Sequence, residues 1–120
     1  IPGVRTYVSV DGGMGDNIRP ALYGAGYSVI KANGPDEPVA GDVTIAGKYC
    51  ESGDLLVKDA PLPPLETGDV LAIAASGAYC LSMASNYNLA LRPAVIMAHN
   101  GVPHLSRRRE TYADLRALYT

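Results

Sequence analysis

The fold that this sequence predicts is mainly β, an antiparallel β-sandwich or partly open barrel with short helices at its margins. Three observations carry that expectation. Six to eight short stretches have strand character, and most are neighbours in sequence. Turn residues separate them at short intervals. Helical patterning is confined to brief pieces and to the end of the chain.

Val4 to Val10 alternates Val4, Thr6, Val8 and Val10 with Arg5, Tyr7 and Ser9, the period of a half-buried strand. Asp11-Gly12-Gly13 follows, and two glycines permit a tight change of direction or a close backbone approach to another group. Asp16-Asn17 is a possible helix cap ahead of a short helical turn over Ile18 to Tyr23, with Pro20 tolerated in its first turn and Gly24 and Gly26 closing it. Tyr27 to Ala32 reads as a strand, and Asn33 to Pro38 as a mobile loop without chemistry. Val39 to Cys50 reads as a strand leading into a loop, with Asp54 to Lys58 as its return. Ala60 to Leu65 holds three prolines in four positions, which excludes a central strand and predicts an extended surface run. Val70 to Ala75 is a continuous apolar run, the mark of a strand buried on both faces, and Ser76-Gly77 breaks it. Ser82 to Asn88 is a short helical or looped segment. Arg92 to Asn100 and Val102 to Arg109 form a hairpin about Asn100-Gly101. Glu110 to Tyr119 places Tyr112, Leu115, Leu118 and Tyr119 at helical spacing, a closing helix packed on the sheet.

A chain of 120 residues is one domain by size, and 48% hydrophobic residues suffice for a core. A net charge of −2 carries no basic footprint for nucleic acid, and no apolar run reaches the ~18 residues of a membrane span. Cys50 and Cys80 stand outside any dense cysteine framework, so both are expected as free thiols and the cytoplasm as the compartment. Phe and Trp are absent, which leaves eight tyrosines as the aromatic side chains; several are expected to pack while keeping a hydroxyl near water or a ligand. His99 and His104 have no supporting ligand pattern, and no metal is expected.

The densest chemistry lies in Gly47 to Asp54, GKYCESGD, where a thiol (Cys50), a carboxylate (Glu51) and a hydroxyl (Ser52) are adjacent. Taken alone, the octet also reads as a strand end with a half-buried cysteine. On the helical turn upstream, Arg19 and Tyr23 are four apart and share a face, so a guanidinium fork and a phenol can converge on one anion. An arginine on a solvated helix face is the other reading. Tyr79, in Gly77-Ala78-Tyr79-Cys80, lies beside backbone with little bulk; it is either a phenol that meets a phosphate or a core tyrosine.

The blocks DGGMGDNIRPALYGA (11–25), GKYCESGD (47–54) and GAYCLSMASNYN (77–88), with RPA at 92–94 and RRRET at 107–111, together resemble the C-terminal domain of diaminopimelate decarboxylase. GMGDN at 13–17 departs slightly from the commoner GMND form of the motif. The resemblance covers nearly the whole chain. It implies an alanine racemase-like C-terminal β-domain of a longer pyridoxal 5′-phosphate enzyme, with the cofactor-holding lysine and a glycine-rich phosphate loop in an N-terminal barrel outside these residues. The implied reaction converts meso-2,6-diaminopimelate to L-lysine and CO2, the last step of lysine biosynthesis. The implied roles are Cys50 as proton donor, Arg19, Tyr23, Glu51 and Tyr79 at substrate, and Tyr79 also at cofactor. The resemblance further implies a homodimer with shared sites, Cys50 and Glu51 reaching into the partner's site while Arg19, Tyr23 and Tyr79 stay with the cofactor-bearing subunit.

These roles suit the chemistry. A carbon that has lost its carboxylate must take a proton from a defined side. A thiol is mostly in its protonated form at neutral pH, and a carboxylate beside it disfavours the thiolate. Arg19 and Glu51 match in charge the carboxylate and ammonium of a distal amino-acid head. Two other readings compete: a non-catalytic dimerisation or regulatory β-domain, and a related decarboxylase for arginine, ornithine or a polyamine precursor. The first has no chemical need for Cys50, Glu51, Arg19 and Tyr79 together. The second acts on substrates without a distal carboxylate, which leaves Arg19 nothing to bind.

Overall fold

The computed structural model describes residues 3–119; Ile1, Pro2 and Thr120 lie outside it. The described residues form seven strands and three short α-helices: β1 (Tyr7–Ser9), α1 (Arg19–Tyr23), β2 (Val29–Lys31), β3 (Gly41–Ala46), β4 (Leu55–Leu62), β5 (Leu71–Ile73), α2 (Cys80–Met83), β6 (Val95–His99), β7 (Val102–Arg107) and α3 (Tyr112–Arg116). The fold is mainly β, and its sheets stay open. One sheet has the order β1-β3-β4, and the pairs β2-β5 and β6-β7 stand as two-stranded ribbons. The antiparallel expectation holds with one exception: β1 runs parallel to β3, Tyr7 opposite Thr44. None of the helices is long and apolar enough to cross a membrane.

The core lies where β3 and β4 meet β2. Val29, Ile45, Leu56, Val57, Ala60 and Leu62 are buried together, with Val8, Val10, Tyr27, Leu71 and Ile73 packed around them. Thr44 and Ile45 are fully enclosed. Opposite Thr44 the register slips, and Asp59, at φ 51°, absorbs the irregularity while its amide donates to the Thr44 hydroxyl at 3.4 Å. Such a slip is a β-bulge, which bends the strand and sharpens its twist.

Several expected elements differ, each for a physical reason. The strand expected over Val4 to Val10 contracts to three residues. The prolines did not end β4 early: it continues through Pro61 to Leu62 because it is the edge of its sheet, where a missing N–H costs no ladder bond. Val70 to Ala75 is not buried on both faces. Only Leu71–Ile73 of this run is strand, its one partner among the described residues is β2, and Val70 is 57% exposed. The Asn33 to Pro38 segment is tied down: the Asn33 amide group donates to Asp69 at 2.9 Å and accepts from the Val70 amide, while the buried Lys31 ammonium is paired with Glu37 at 2.9 Å and Asp69 at 3.4 Å. The hydrogen bond to Glu37 holds the Lys31 ammonium above its usual range. The possible cap at Asp16-Asn17 is met in part: Ile18 is the cap residue, but the Asn17 side chain accepts from the Arg19 amide at the helix start, while Asp16 closes its own loop on the Gly13 amide.

The β6-β7 hairpin turns at Asn100 and Gly101, both at positive φ (50° and 75°), as a tight two-residue hairpin turn demands. The closing helix is shorter than its periodicity suggests and does not pack on a sheet, since Tyr112, Leu118 and Tyr119 are 67%, 88% and 77% exposed. A capping box of Thr111 and Asp114 sets its start instead, and Arg108 forks onto Asp114 at 2.6 and 2.7 Å.

Candidate active site

Two groups of chemistry-bearing side chains form. The first is built on α1. Pro20 pre-sets the first turn, and Gly24, at φ 64°, stops the helix after Tyr23, so Arg19 opens the helix and Tyr23 ends it on the same face. The Arg19 guanidinium stands 5.5 Å from the Tyr23 ring centroid and 5.0 Å from that of Tyr79. Tyr79 reaches it from the start of α2 with φ 68°, a left-handed conformation unusual for tyrosine. The chain there turns its phenol outward, 66% exposed, rather than into the core. The third contact comes from Tyr27, whose hydroxyl accepts from Arg19 Nε at 3.1 Å and lies 3.7 Å from the buried Cys80 Sγ. Arg19, Tyr27 and Tyr79 line a cleft of about 380 Å³ whose other walls are small residues such as Gly26, Ala74 and Ala78. Arg19 is the charged side chain on that lining. A cation among three phenols, facing a cleft, is suited to a carboxylate or phosphate.

The second group is the loop after β3. Its organiser is Asp54, 2% exposed, whose carboxylate accepts from the Met14 amide at 2.6 Å and the Tyr49 amide at 2.7 Å. The Asp54 backbone accepts from Gly47 at 2.8 Å and donates to Glu51 at 3.0 Å, which closes the octet into a compact loop. Gly47 is required there, because a Cβ on it would collide with the Asp54 carboxylate. Tyr49 lies flat along the segment from Gly13 to Gly15, where a side chain at Gly13 would stand 2.8 Å from its ring. The close approach that the glycines allow is thus to a tyrosine. Burial, with Asp16 and Asp54 nearby, pushes the Tyr49 phenol above its usual range.

Held this way, Cys50 and Glu51 project outward, and both are exposed. The Tyr87 hydroxyl donates to Glu51 Oε1, and the Tyr87 ring tilts against Tyr49 at 5.4 Å. That hydrogen bond raises the Tyr87 phenol above its ordinary range. Two consecutive left-handed residues, Asn88 (φ 53°) and Leu89 (φ 59°), follow Tyr87 and turn the chain after it.

The structure therefore brings Arg19, Tyr23 and Tyr79 together, and Cys50 with Glu51, as two separate sets. Among the described residues, no hydrogen bond, ion pair or ring contact joins one set to the other; they abut where Ala21 of α1 faces Gly53. Cys50 and Cys80 are both free, the first exposed and the second buried. Among the described residues no three His, Cys, Asp or Glu side chains gather as a metal site. Sequence reasoning missed Tyr27 and Tyr87 and saw Asp54 only as a turn residue. Asp54 had a local signal, an acidic side chain closing a glycine-flanked loop. The two tyrosines had none, since Tyr27 meets Arg19 only through the turn that follows α1 and Tyr87 meets a glutamate far away in sequence.

The family model described as "Pyridoxal-dependent decarboxylase, C-terminal sheet domain" matches residues 2–77. Diaminopimelate decarboxylase of Bacillus subtilis (strain 168) is 56% identical over 115 residues, and that of Synechocystis sp. 53% over 115, each across 96% of this chain. The chain spans only about a quarter of their length, 26% and 24%. Among solved structures, diaminopimelate decarboxylase from M. jannaschii in co-complex with L-lysine superposes with a TM-score of 0.90 at 42% identity, covering 100% of this chain and 27% of that one. Lysine decarboxylase from Selenomonas ruminantium shares the fold at a TM-score of 0.60 and 22% identity, over 72% of this chain and 23% of that one.

Proposed function

The chain belongs to the pyridoxal-dependent decarboxylase family as its C-terminal sheet domain, and from that premise we propose that it serves a diaminopimelate decarboxylase, forming meso-2,6-diaminopimelate's receptor and proton source. The observation that carries this reading is the Arg19 guanidinium held by Tyr23, Tyr27 and Tyr79 at the rim of a cleft. A distal carboxylate is what separates this substrate from those of decarboxylases for arginine or ornithine, and Arg19 is a forked receptor for it.

Pyridoxal phosphate, when bound, supplies the electron sink that permits loss of CO2. The residues present fit one side of it. Tyr79 offers an exposed phenol beside a cation and small neighbours, the chemistry that holds a phosphate or a ligand oxygen. None of the chain's three lysines lines the cleft that holds Arg19 and Tyr79: Lys31 is buried in its pairs with Glu37 and Asp69, Lys48 lies over the Tyr49 ring, and Lys58 is exposed on β4. The cofactor-holding lysine belongs to an N-terminal barrel in this reading.

The work of this chain's own residues is then positional. Arg19 orients the distal carboxylate and Tyr23 lines the same face of α1. Cys50 holds a proton at Sγ on an exposed loop and passes it to the carbon that has lost its carboxylate. Glu51, steered by Tyr87, accepts from the distal ammonium. The exposure of Cys50 and Glu51, and their separation from the Arg19 set, support a homodimer in which they reach the partner's site. Two unpaired thiols support a cytoplasmic setting.

The test is made in the full-length enzyme that carries this chain. Arg19→Ala is expected to cost about 2–5 kcal/mol in apparent affinity for diaminopimelate, as for truncated buried charge pairs. Arg19→Lys is expected to be poorly tolerated, since an ammonium cannot reproduce the fork. Preference for the diacid over amino acids without a distal carboxylate, read from kcat/KM, decides it. A preference that survives Arg19→Ala removes the substrate assignment.

A further inference from the structure

We infer that Tyr27 is a positioning residue that fixes which edge of the Arg19 guanidinium meets the ligand, and through it sets selectivity for a terminal carboxylate. The inference rests on the receptor role of Arg19 given above and adds a residue outside the substrate-contacting set.

A guanidinium can fork onto a carboxylate in two ways, through its two terminal nitrogens or through Nε and one of them. In this chain the second edge is taken. Arg19 Nε donates to the Tyr27 hydroxyl at 3.1 Å, while the Tyr23 and Tyr79 rings carry the guanidinium at 5.5 and 5.0 Å. The edge left for a ligand is the terminal pair. The Tyr27 hydroxyl is itself committed. It accepts the Nε hydrogen on a lone pair and shares a second hydrogen bond with Cys80 Sγ at 3.7 Å, in which either group can donate, on a cysteine only 5% exposed. Tyr27 is therefore a brace between arginine and cysteine. Its ring packs against the core formed by β2, β3 and β4, so the brace is anchored in the rigid part of the molecule. Without it, the guanidinium is free to rotate about its last side-chain bonds and to offer either edge.

The experiment uses the full-length holoenzyme and four variants: Tyr27→Phe, which keeps the ring and removes only the hydroxyl, Arg19→Lys, Arg19→Ala and the double variant Arg19→Lys/Tyr27→Phe. Tyr27→Phe is expected to raise KM for diaminopimelate roughly 10- to 100-fold, the effect of losing one hydrogen bond to a charged group, with kcat changed by no more than about twofold. Its preference for the diacid over monocarboxylate amino acids falls in parallel. In the Arg19→Lys background, the second change is expected to add little, because an ammonium has no Nε edge to fix. Equal losses from Tyr27→Phe in the wild-type and Arg19→Lys backgrounds would show a general packing role and overturn the inference. An unchanged KM in Tyr27→Phe beside a raised KM in Arg19→Ala would also overturn it, and would leave the receptor reading standing. An unchanged KM in Arg19→Ala would sink both.

Discussion

Cys50 stands exposed at the tip of a loop while Cys80 is buried beside the Tyr27 hydroxyl, so the same substitution has different consequences at each. In the full-length enzyme, Cys50→Ala is expected to lower turnover by roughly the 10²–10⁴-fold of a lost general acid, with little change in KM. Cys80→Ala is expected to lower thermal stability instead. Steady-state kinetics and a melting curve on both variants make the comparison, and equal, small kinetic effects would remove the proton-donor role from Cys50. Tyr87→Phe keeps the ring contact with Tyr49 but frees Glu51. The expected result is a higher KM for diaminopimelate with kcat largely retained, and an unchanged KM would mean that Glu51 needs no steering. At this scale much of the site was readable from sequence, because Arg19 with Tyr23, and Cys50 with Glu51, are near neighbours in the chain. Tyr27 and Tyr87 were not, since each acquires its meaning from a partner that only the tertiary fold delivers.

Among the elements, the reactive loop depends on Asp54 more than on any residue it displays. Asp54→Ala leaves the Met14 and Tyr49 amides without their acceptor. At about 1–3 kcal/mol for each of the two amides left unsatisfied, the variant is expected to lose on the order of 2–6 kcal/mol, measurable by denaturant unfolding. The segment joining β6-β7 to α3 has its own electrostatic clasp: Glu110 accepts from the Arg92 amide and is paired with Arg92 and Arg107. The Arg92 amide leads the causes that bring its carboxyl down to about 2 from an ordinary value of 4.5. A depressed carboxyl stabilises the folded state fully above its unfolded value, and that contribution fades as pH falls from about 4.5 through about 2. Glu110→Gln is expected to flatten stability against pH in that window, as read by melting temperature. The β6-β7 hairpin was legible because Asn100-Gly101 encodes its own turn locally. The parallel β1-β3 pairing was not, because a period of two says which side chains share a face but nothing about a partner's direction. Nor was the exposure of the β5 region, where an apolar run finds only a single partner strand.

For the whole molecule, the open ribbons matter most. Ile96, Met97, Val102 and Leu105 on the β6-β7 hairpin are 53%, 60%, 53% and 64% exposed, and Leu118 is 88% exposed. Ile96 and Leu105 lie opposite each other on one side of the ribbon while Met97 and Val102 lie on the other, so apolar side chains stand exposed on both sides of it. The chain studied alone is expected to self-associate and to bind hydrophobic dyes; a clean monomer at high concentration in sedimentation, with no dye binding, would contradict this. It is also expected to form no stoichiometric, borohydride-trappable adduct with pyridoxal phosphate at one lysine, since covalent attachment needs a positioned amine and Lys31 is locked in its ion pairs. The visible spectrum after cofactor addition reads this directly. The parallel pairing has a further consequence in time. The hairpin closes over two residues and forms in about 1–10 μs, but Tyr7 must find Thr44 across the long stretch that holds α1 and β2, closing a costly loop first. Only then do Val10 and Lys48 bridge the first strand to the reactive loop, through Ala46 and Gly12. The bonds that join the loop to the first strand are accordingly expected to form late in refolding, and Cys50 is expected to be open to oxidation or to mispairing with Cys80 until they do. Recovery of native protein is therefore expected to rise with reductant during refolding, although the finished fold contains no disulfide among its described residues, and a refolding yield indifferent to reductant would contradict this.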